Sequence, residues 1–170
     1  MKIFFILVFF IINFQSYSEA DDFNFKKIVT LNNPWGSSFI NNEEIIVTEK
    51  SGKIKLANVV SKKTIEIKHN LNFLEYGQGG LLDIIYKNKT LWISYTEDRG
   101  NWKTSTSIAK AELDNKELNF ENIFQADPPI DSGYHFGSRL AIKDNYLFAT
   151  AGERGKGMIA QDVKKHPGSI

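Results

Sequence analysis

Three similar segments recur along this chain and limit what it can fold into. Each begins at a glycine, continues as a short apolar run, passes through a polar turn and ends in a β-rich run that stops at a glutamate. The segments are "GSSFINNEEIIVTE" from Gly36, "GLLDIIYKNKTLWISYTE" from Gly80 and "GSRLAIKDNYLFATAGE" from Gly137. Apolar runs joined by turns rich in Asn, Lys and Asp predict three β-hairpins.

Further strands are predicted between these hairpins, so that each repeat holds about four strands. "KIKLANV" with "TIEIKH" follows the first hairpin, and "STSIAKAEL" with "NFENIFQ" follows the second. The leading glycines lie 44 positions apart from Gly36 to Gly80 and 57 positions apart from Gly80 to Gly137. Four strands in a period of this length are typical of a β-propeller blade. An all-β propeller is therefore predicted, with a β-sandwich whose turns coincide by chance as the alternative.

The number of blades is the next constraint. Residues 21–170 suffice for about three blades, whereas propellers typically close with about four to eight. An open stack would leave an unpaired sheet edge. We therefore expect the chain to supply the first half of the blades of a longer propeller. A homo-oligomer that closes the ring is the alternative.

The first twenty residues, "MKIFFILVFFIINFQSYSEA", differ from the rest. One positive charge at Lys2 precedes an apolar run from Ile3 to Ile12, and small residues stand at Ser18 and Ala20. This pattern predicts a secretory signal peptide over residues 1–20, with a mature domain over residues 21–170. The apolar run is shorter than the ~20 residues that a membrane-spanning helix needs. We expect an exported protein, periplasmic or secreted, without stable membrane insertion; an uncleaved anchor is the alternative.

Composition excludes several classes of function. The net charge of +1 and the absence of a P-loop or dinucleotide fingerprint give no reason to expect a nucleic-acid or nucleotide partner. The chain has no cysteine, which excludes thiol catalysis and zinc–thiolate sites.

Six motifs carry a family resemblance. "NPWGSSF", "VTEKSGKI", "GQGGLLDI", "LWISYTE", "HFGSRLAI", and "AGERG" followed by "AQDVKKHPG" stand in the order and spacing of the soluble PQQ-dependent aldose sugar dehydrogenases. From about Leu31 to Ile170 the chain thus resembles the glucose/sorbosone dehydrogenase family. The resemblance implies a six-bladed β-propeller with PQQ over its central axis, bound calcium, an aldose sugar as substrate and oxidation at the anomeric carbon to a lactone. The external electron acceptor is left unidentified.

The resemblance also assigns roles to individual residues. It implies that His135 is the catalytic base and contacts the cofactor, and that Gln78 contacts both sugar and cofactor. Arg154 and Gln161 are further cofactor-binding candidates in the segment after "GERG". The calcium ligands and an Arg-Asn pair beside PQQ are expected beyond residue 170, so the 170 residues alone are expected to be inactive. Tyr134 replaces the acidic residue of the glucose-oxidising relatives, which favours the broader aldose branch.

Several residues have structural interpretations instead. Arg139 is expected to bridge blades to a carboxylate such as Asp83. The repeated glutamates are expected to belong to the architecture of the blade ends, and the three tryptophans are expected to pack between blades. The glutamates are Glu49, Glu97 and Glu153, and the tryptophans are Trp35, Trp92 and Trp102. His69 is expected to be solvated, and His166 is expected to have a structural role. The rival functions are a non-catalytic exported propeller that binds glycan or protein, and a lactone-hydrolysing propeller.

Overall fold

The computed structural model describes residues 24–114 and 116–170, so the predicted signal peptide lies outside the described residues. The strands are β1 Pro34–Phe39, β2 Glu44–Glu49, β3 Lys53–Asn58, β4 Thr64–His69, β5 Leu81–Lys87, β6 Thr90–Asp98, β7 Thr104–Glu112, β8 Glu117–Leu118, β9 Glu121–Gln125, β10 Gly137–Lys143 and β11 Tyr146–Ala151. A short 3₁₀ helix, Gly157–Gln161, follows. In these two ranges, no helix has the length and apolar character needed to cross a membrane.

The strands form three sheets in succession. The first is the antiparallel series β1-β2-β3-β4, to which β8 adds in parallel beside β4. The second is the antiparallel series β5-β6-β7-β9, and the third is the hairpin β10-β11. All three predicted hairpins and the four strands between them are thus confirmed. The described residues thus form a five-stranded sheet, a four-stranded sheet and a hairpin, and residues 152–170 form turns and a 3₁₀ helix.

The core lies where the first two sheets pack together. Apolar side chains that alternate along the strands are fully buried there, since successive residues of a strand face opposite sides of the sheet. The members include Ile46, Ile54, Leu56 and Ile67 of the first sheet with Leu81, Ile84, Leu91 and Ile93 of the second.

Hydroxyl groups join each sheet to the innermost strand of the next. Thr48 Oγ1 on β2 donates to the carbonyl oxygen of Leu82 on β5 at 2.5 Å. Ser94 Oγ on β6 donates in the same way to Ser138 on β10 at 2.6 Å. The equivalent contact therefore recurs from one sheet to the next, which is the structural counterpart of the sequence repeat.

Charged groups reinforce the junction between the second and third sheets. Arg139 lies 3.4 Å from Asp83 Oδ1, which confirms the predicted bridge. Asp83 Oδ2 also accepts a hydrogen bond from the backbone N–H of Leu140 at 2.9 Å. Asp83 is almost fully buried, so these donors satisfy a carboxylate that would otherwise be costly to bury.

The aromatic predictions need correction. Trp35 and Trp102 are 47% and 65% exposed, so the inter-blade packing predicted for them is wrong. Half-buried Trp92 lines a cleft with Ile142 and Leu147 of the third sheet, as predicted for a residue between blades.

The two structural histidines are both held by hydrogen bonds. His69 is half-buried, with Nε2 2.7 Å from the carbonyl oxygen of Gly52, so the prediction that it is solvated is wrong. His166 Nδ1 accepts a hydrogen bond from the N–H of Asp127 at 2.9 Å, which confirms a structural role.

Candidate functional site

The loops that lead into β5 and β10 meet, and their contact brings His135 beside Gln78. The N–H of His135 donates to Gln78 Oε1 at 2.8 Å, and the N–H of Gln78 donates to the carbonyl oxygen of Gly133 at 2.7 Å. His135 adopts a left-handed conformation with φ of 50°, which is uncommon for a residue with a side chain. The side chain of His135 is 55% exposed, and Gln78 is exposed as well. Two residues that are 57 positions apart in sequence are therefore neighbours on one accessible surface.

Glu153 is the site residue that the sequence analysis missed. Its Oε1 lies 2.5 Å from Nδ1 of His135, and it stands two residues after the end of β11. This hydrogen bond is the main reason that the pKa of Glu153 lies below its ordinary value. The hairpin register could have revealed the pair: Gly137 pairs with Ala151, so the residues two positions outside each strand end must lie side by side. The other two repeated glutamates remain architectural, since Glu97 is buried against Gln125 and Glu49 accepts from the N–H of Asn32.

The Glu153 contact fixes which nitrogen of His135 can act as a base. An ionised carboxylate only accepts, so Nδ1 carries the proton and the lone pair of the neutral ring lies on Nε2. In the part of the chain that the structure describes, Nε2 of His135 has no hydrogen-bond partner. A histidine oriented in this way by a carboxylate can take a proton from a substrate hydroxyl at Nε2.

Gln78 complements that base with a donor. Its Oε1 is occupied by the His135 N–H, which identifies the amide oxygen, because an N–H requires an acceptor. The amide nitrogen is then the atom left to meet a ligand oxygen. The surface thus offers an acceptor at His135 and a donor at Gln78, a combination that suits a neutral polyol or a quinone carbonyl.

Arg154 lies beneath this surface. It is 2% exposed, and its guanidinium donates to the carbonyl oxygens of Tyr134, Thr104 and Ser132 and to the Thr104 hydroxyl. The group also lies over the ring of Phe136, 3.6 Å from its centroid. Burial lowers the pKa of Arg154 to about 10, so it stays charged at neutral pH. The predicted cofactor contact would require this guanidinium to leave four acceptors, so we assign Arg154 to the scaffold of the His135 loop.

Three comparisons with known proteins bear on this geometry. The family profile described as Glucose / Sorbosone dehydrogenase matches residues 31–170. The chain belongs to the glucose/sorbosone dehydrogenase family. The aldose sugar dehydrogenase YliI of Escherichia coli strain K12 is 27% identical over 150 residues, which cover 82% of this chain and 40% of that relative.

Solved structures of relatives share the fold. A glucose dehydrogenase is 28% identical with a TM-score of 0.76, over 81% of this chain and 46% of that one. The PQQ-bound aldose sugar dehydrogenase of Streptomyces coelicolor has a TM-score of 0.71 at 22% identity, over 82% of this chain and 43% of that one. The sheets are therefore the blades of a β-propeller of which this chain forms part, and the chain spans less than half the length of these relatives.

The remaining predicted site residue is less closely connected to the surface. Gln161 ends the 3₁₀ helix and is exposed, and no hydrogen bond between described residues joins its side chain to His135 or Gln78. Residues 24–114 and 116–170 also contain no grouping of three or more His, Asp or Glu side chains that could hold a metal ion. The described residues therefore bring together an imidazole at His135 and an amide at Gln78.

Replacing Gly152 by alanine is expected to disturb the site directly. A Cβ at this position would lie 1.9 Å from the carbonyl oxygen of His135, which is closer than two non-bonded atoms can approach. The His135 backbone would have to move, and its hydrogen bond to Gln78 would weaken. We expect a loss of roughly 1–3 kcal/mol in the free energy of unfolding, measured by urea denaturation. Gly157→Ala, where a Cβ meets nothing within 4 Å, is the matched control. Equal stability of the two variants would contradict the predicted clash.

Proposed function

We propose that this chain serves the PQQ-dependent oxidation of an aldose at its anomeric carbon to the lactone, in an exported protein. The observation that carries the proposal is the His135–Glu153 pair beside Gln78, where the loops of two blades meet. Family membership and the names of the relatives support it: one is the aldose sugar dehydrogenase YliI of E. coli, and another is the PQQ-bound aldose sugar dehydrogenase of Streptomyces coelicolor.

The reaction removes two hydrogens from the substrate as a proton and a hydride. The proton leaves the anomeric hydroxyl for Nε2 of His135 while the C1–O bond becomes a carbonyl. Glu153 holds the ring in the required tautomer and stabilises the imidazolium that forms, as a carboxylate does for a catalytic histidine. PQQ, when bound, supplies an electrophilic carbonyl carbon that accepts the hydride with its electron pair.

Gln78 positions the reacting partners. Its amide N–H groups can donate to a sugar or quinone oxygen, while its Oε1 stays on the His135 backbone. The Gln78 side chain therefore contacts both the ligand and the backbone of His135, which holds the ligand and the base in a fixed relative position. Charge that develops on the cofactor oxygens needs cations, and in the described residues Arg154 is too deeply buried to serve. We infer that calcium and basic groups outside this chain supply that role.

A chimera tests the proposal. Residues 31–170 would replace the matching part of the E. coli aldose sugar dehydrogenase, giving a complete propeller whose base and amide come from this chain. We expect the chimera, loaded with PQQ and calcium, to reduce an artificial electron acceptor when glucose is added. A folded chimera that binds PQQ but oxidises no aldose would contradict the proposal and favour a non-catalytic glycan-binding propeller. The 170-residue chain alone is expected to show no oxidation.

Glu153→Gln in this chimera is expected to lower kcat at least about tenfold, within the range seen when the residue that orients a catalytic histidine is changed. A neutral amide can offer Nδ1 either a donor or an acceptor, so the tautomer with a free Nε2 is no longer fixed.

The same variant should alter how stability depends on pH. Because the pKa of Glu153 is lowered on folding, its contribution is present above the ordinary glutamate value and is lost as pH falls through the lowered value. Glu153→Gln should remove that part of the acid destabilisation, measured by urea denaturation between pH 6 and pH 3, values chosen to bracket the ordinary glutamate pKa of about 4.3. If the Glu153→Gln variant kept the kcat of the unchanged chimera, and its stability depended on pH in the same way, the assigned role of Glu153 would be contradicted.

A further inference from the structure

We propose that Phe136 is a positioning residue that holds the three residues of the candidate site in one arrangement. These three are His135, Gln78 and Glu153, and Phe136 contacts a sequence neighbour of each or is that neighbour itself. The proposal rests on the proposed function and deepens it, because it names what fixes the geometry of the base. Phe136 is 3% exposed and packs against residues of this chain, so its contacts do not depend on the part of the propeller outside the chain.

The edge of the Phe136 ring packs against the backbone of Gly79, which directly follows Gln78. A Cβ on Gly79 would lie 2.7 Å from Cζ and 2.8 Å from Cε2 of Phe136, so there is room for a glycine only. Thr96 confines the same segment, since that Cβ would also lie 2.3 Å from Thr96 Oγ1, which accepts from the N–H of Gly80 at 3.0 Å. The ring and this hydroxyl together fix the backbone from which Gln78 projects.

The face of the Phe136 ring packs against Arg154, which directly follows Glu153. The central carbon of the guanidinium lies 3.6 Å from the ring centroid, a cation–π contact that is strong when both groups are buried. The N–H of Arg154 also donates to the carbonyl oxygen of His135 at 3.3 Å. One aromatic ring is therefore in contact with the segment that carries Gln78 and with the segment that carries Glu153.

The backbone of Phe136 is held as firmly as its ring. Its carbonyl oxygen accepts from Thr106 Oγ1 at 2.9 Å, from the N–H of Gly152 at 2.9 Å and from Ser138 Oγ at 3.1 Å. A carbonyl oxygen has two lone pairs, so three donors use its full capacity. Because Gly152 directly precedes Glu153, this carbonyl also sets where the carboxylate begins.

A change in the Phe136 ring should therefore reach both contacts of the base. These are the 2.8 Å hydrogen bond from the His135 N–H to Gln78 and the 2.5 Å contact of its Nδ1 with Glu153. A misplacement of about 1 Å in a catalytic arrangement can lower a rate about 10²-fold. Phe136 acts through its neighbours and does not itself exchange a proton, since a phenyl ring has no titratable group.

Phe136→Leu in the chimera tests the proposal by removing the ring atoms that contact Gly79 while keeping an apolar side chain. We expect kcat for glucose to fall about tenfold or more, with a smaller change in KM. Phe120→Leu is the matched control, because Phe120 is 7% exposed in the core between the first two sheets. It should lose comparable stability to urea yet keep kcat within about twofold. Equal losses of kcat in the two variants would overturn the proposal.

Phe136→Tyr is a second variant that keeps the ring over Arg154. Its added hydroxyl stands on Cζ, the ring atom that a Cβ on Gly79 would approach most closely. The oxygen has no room there and should displace Gly79 together with Gln78, so kcat should fall although the ring is retained. A folded Phe136→Tyr chimera with the kcat of the unchanged chimera would refute the positioning of Gln78 by the ring.

A titration of Glu153 provides a measurement without any redox step. Its pKa lies below the ordinary value chiefly because of the hydrogen bond with His135. We expect Phe136→Leu to raise this pKa toward the ordinary glutamate value of about 4.3, and Phe120→Leu to leave it unchanged. Carbon-13 NMR of the carboxyl in the full chain measures it, with the resonance identified by its loss in Glu153→Gln. The same pKa in Phe136→Leu and in the unchanged chain would overturn the proposal.

The two measurements distinguish this proposal from the proposed function. An active chimera in which Phe136→Leu matches Phe120→Leu, in kcat and in the pKa of Glu153, would overturn the positioning role and leave the dehydrogenase standing. If no chimera oxidised an aldose, but the pKa of Glu153 rose only in the Phe136 variant, the positioning role would be supported and the dehydrogenase contradicted.

Discussion

Replacing His135 by glutamine is expected to lower kcat for aldose oxidation in the chimera by ~10²–10⁴-fold, the range that general base catalysis contributes. Glutamine keeps hydrogen-bonding capacity and approximate size but cannot take a proton at neutral pH. Water would then have to remove the anomeric proton. KM should change little if His135 acts mainly in the transition state, so that kcat and kcat/KM fall together. The measurement is steady-state reduction of an artificial acceptor with glucose as substrate.

The control separates chemistry from folding. His135 is more than half exposed, so the glutamine variant should unfold at nearly the same urea concentration as the unchanged protein. Glu153 would still find a donor in the new amide at the end of the same loop. A variant that is stable, binds PQQ and keeps a rate within about twofold of the unchanged chimera would rule out His135 as the base.

Replacing Arg154 by methionine is expected to cost roughly 3–5 kcal/mol in the free energy of unfolding, because each buried acceptor left without a donor costs about 1–3 kcal/mol. The carbonyl oxygens of Ser132 and Tyr134 lose the guanidinium, whereas the carbonyl oxygen of Thr104 keeps the N–H of Ile130. Methionine fills similar space over Phe136, so the loss reports the hydrogen bonds more than a cavity. Urea denaturation of the chimera and of the isolated chain measures it.

Arg139 offers a matched control for Arg154. Arg139 lies on β10, its side chain is largely exposed, and it pairs with Asp83. Arg139→Met should cost clearly less than Arg154→Met, because buried Asp83 keeps the N–H groups of Leu140 and Ile84 as hydrogen-bond donors. Arg154→Lys should fall between the two, because an ammonium keeps the charge but cannot reach four acceptors arranged around a planar fork. Equal costs for Arg154→Met and Arg139→Met would contradict the scaffold role.

The Arg154 variant also links stability to the site. Its guanidinium binds the carbonyl oxygen of Tyr134, next to His135, and the carbonyl oxygen of Thr104 at the start of β7. Loss of these contacts should loosen the loop that carries His135, so the variant should lose activity even at temperatures where it stays folded. His135→Gln should instead lose activity at unchanged stability, which distinguishes a residue that acts on substrate from one that positions others.

Much of the fold could be predicted from the residues alone. The hairpins around Asn41, Lys87 and Asp144 follow from alternating apolar side chains and polar turns, which are local properties of the chain. Their repetition predicts blades, since each hairpin can bury its apolar face only against the next. Residues 152–170 were not predicted as strands, and they form turns and a 3₁₀ helix, because their turn-rich sequence carries no strand periodicity.

The residues of the candidate site were harder to predict from the sequence than the strands were. His135 and Gln78 were predicted through a family resemblance, and nothing in their local sequence indicates that one backbone N–H meets the other side chain. Glu153 was taken for architecture because it shares a repeat position with two glutamates that are architectural. Arg154 was named a cofactor-binding candidate through the family resemblance of the "GERG" segment. Only the acceptors that converge on it from three segments make its burial possible.

The sequence by itself determined the strands, the turns and the order of the blades, because strand periodicity and turn preference act between residues close together in the chain. Only the tertiary structure decided that His135 lies against Gln78, that Glu153 contacts the Nδ1 atom of His135, and that Arg154 holds this loop from its buried side. These contacts join residues up to 57 positions apart, and they form where the loops of separate blades converge. Their partners are set by packing between blades, which no local pattern records.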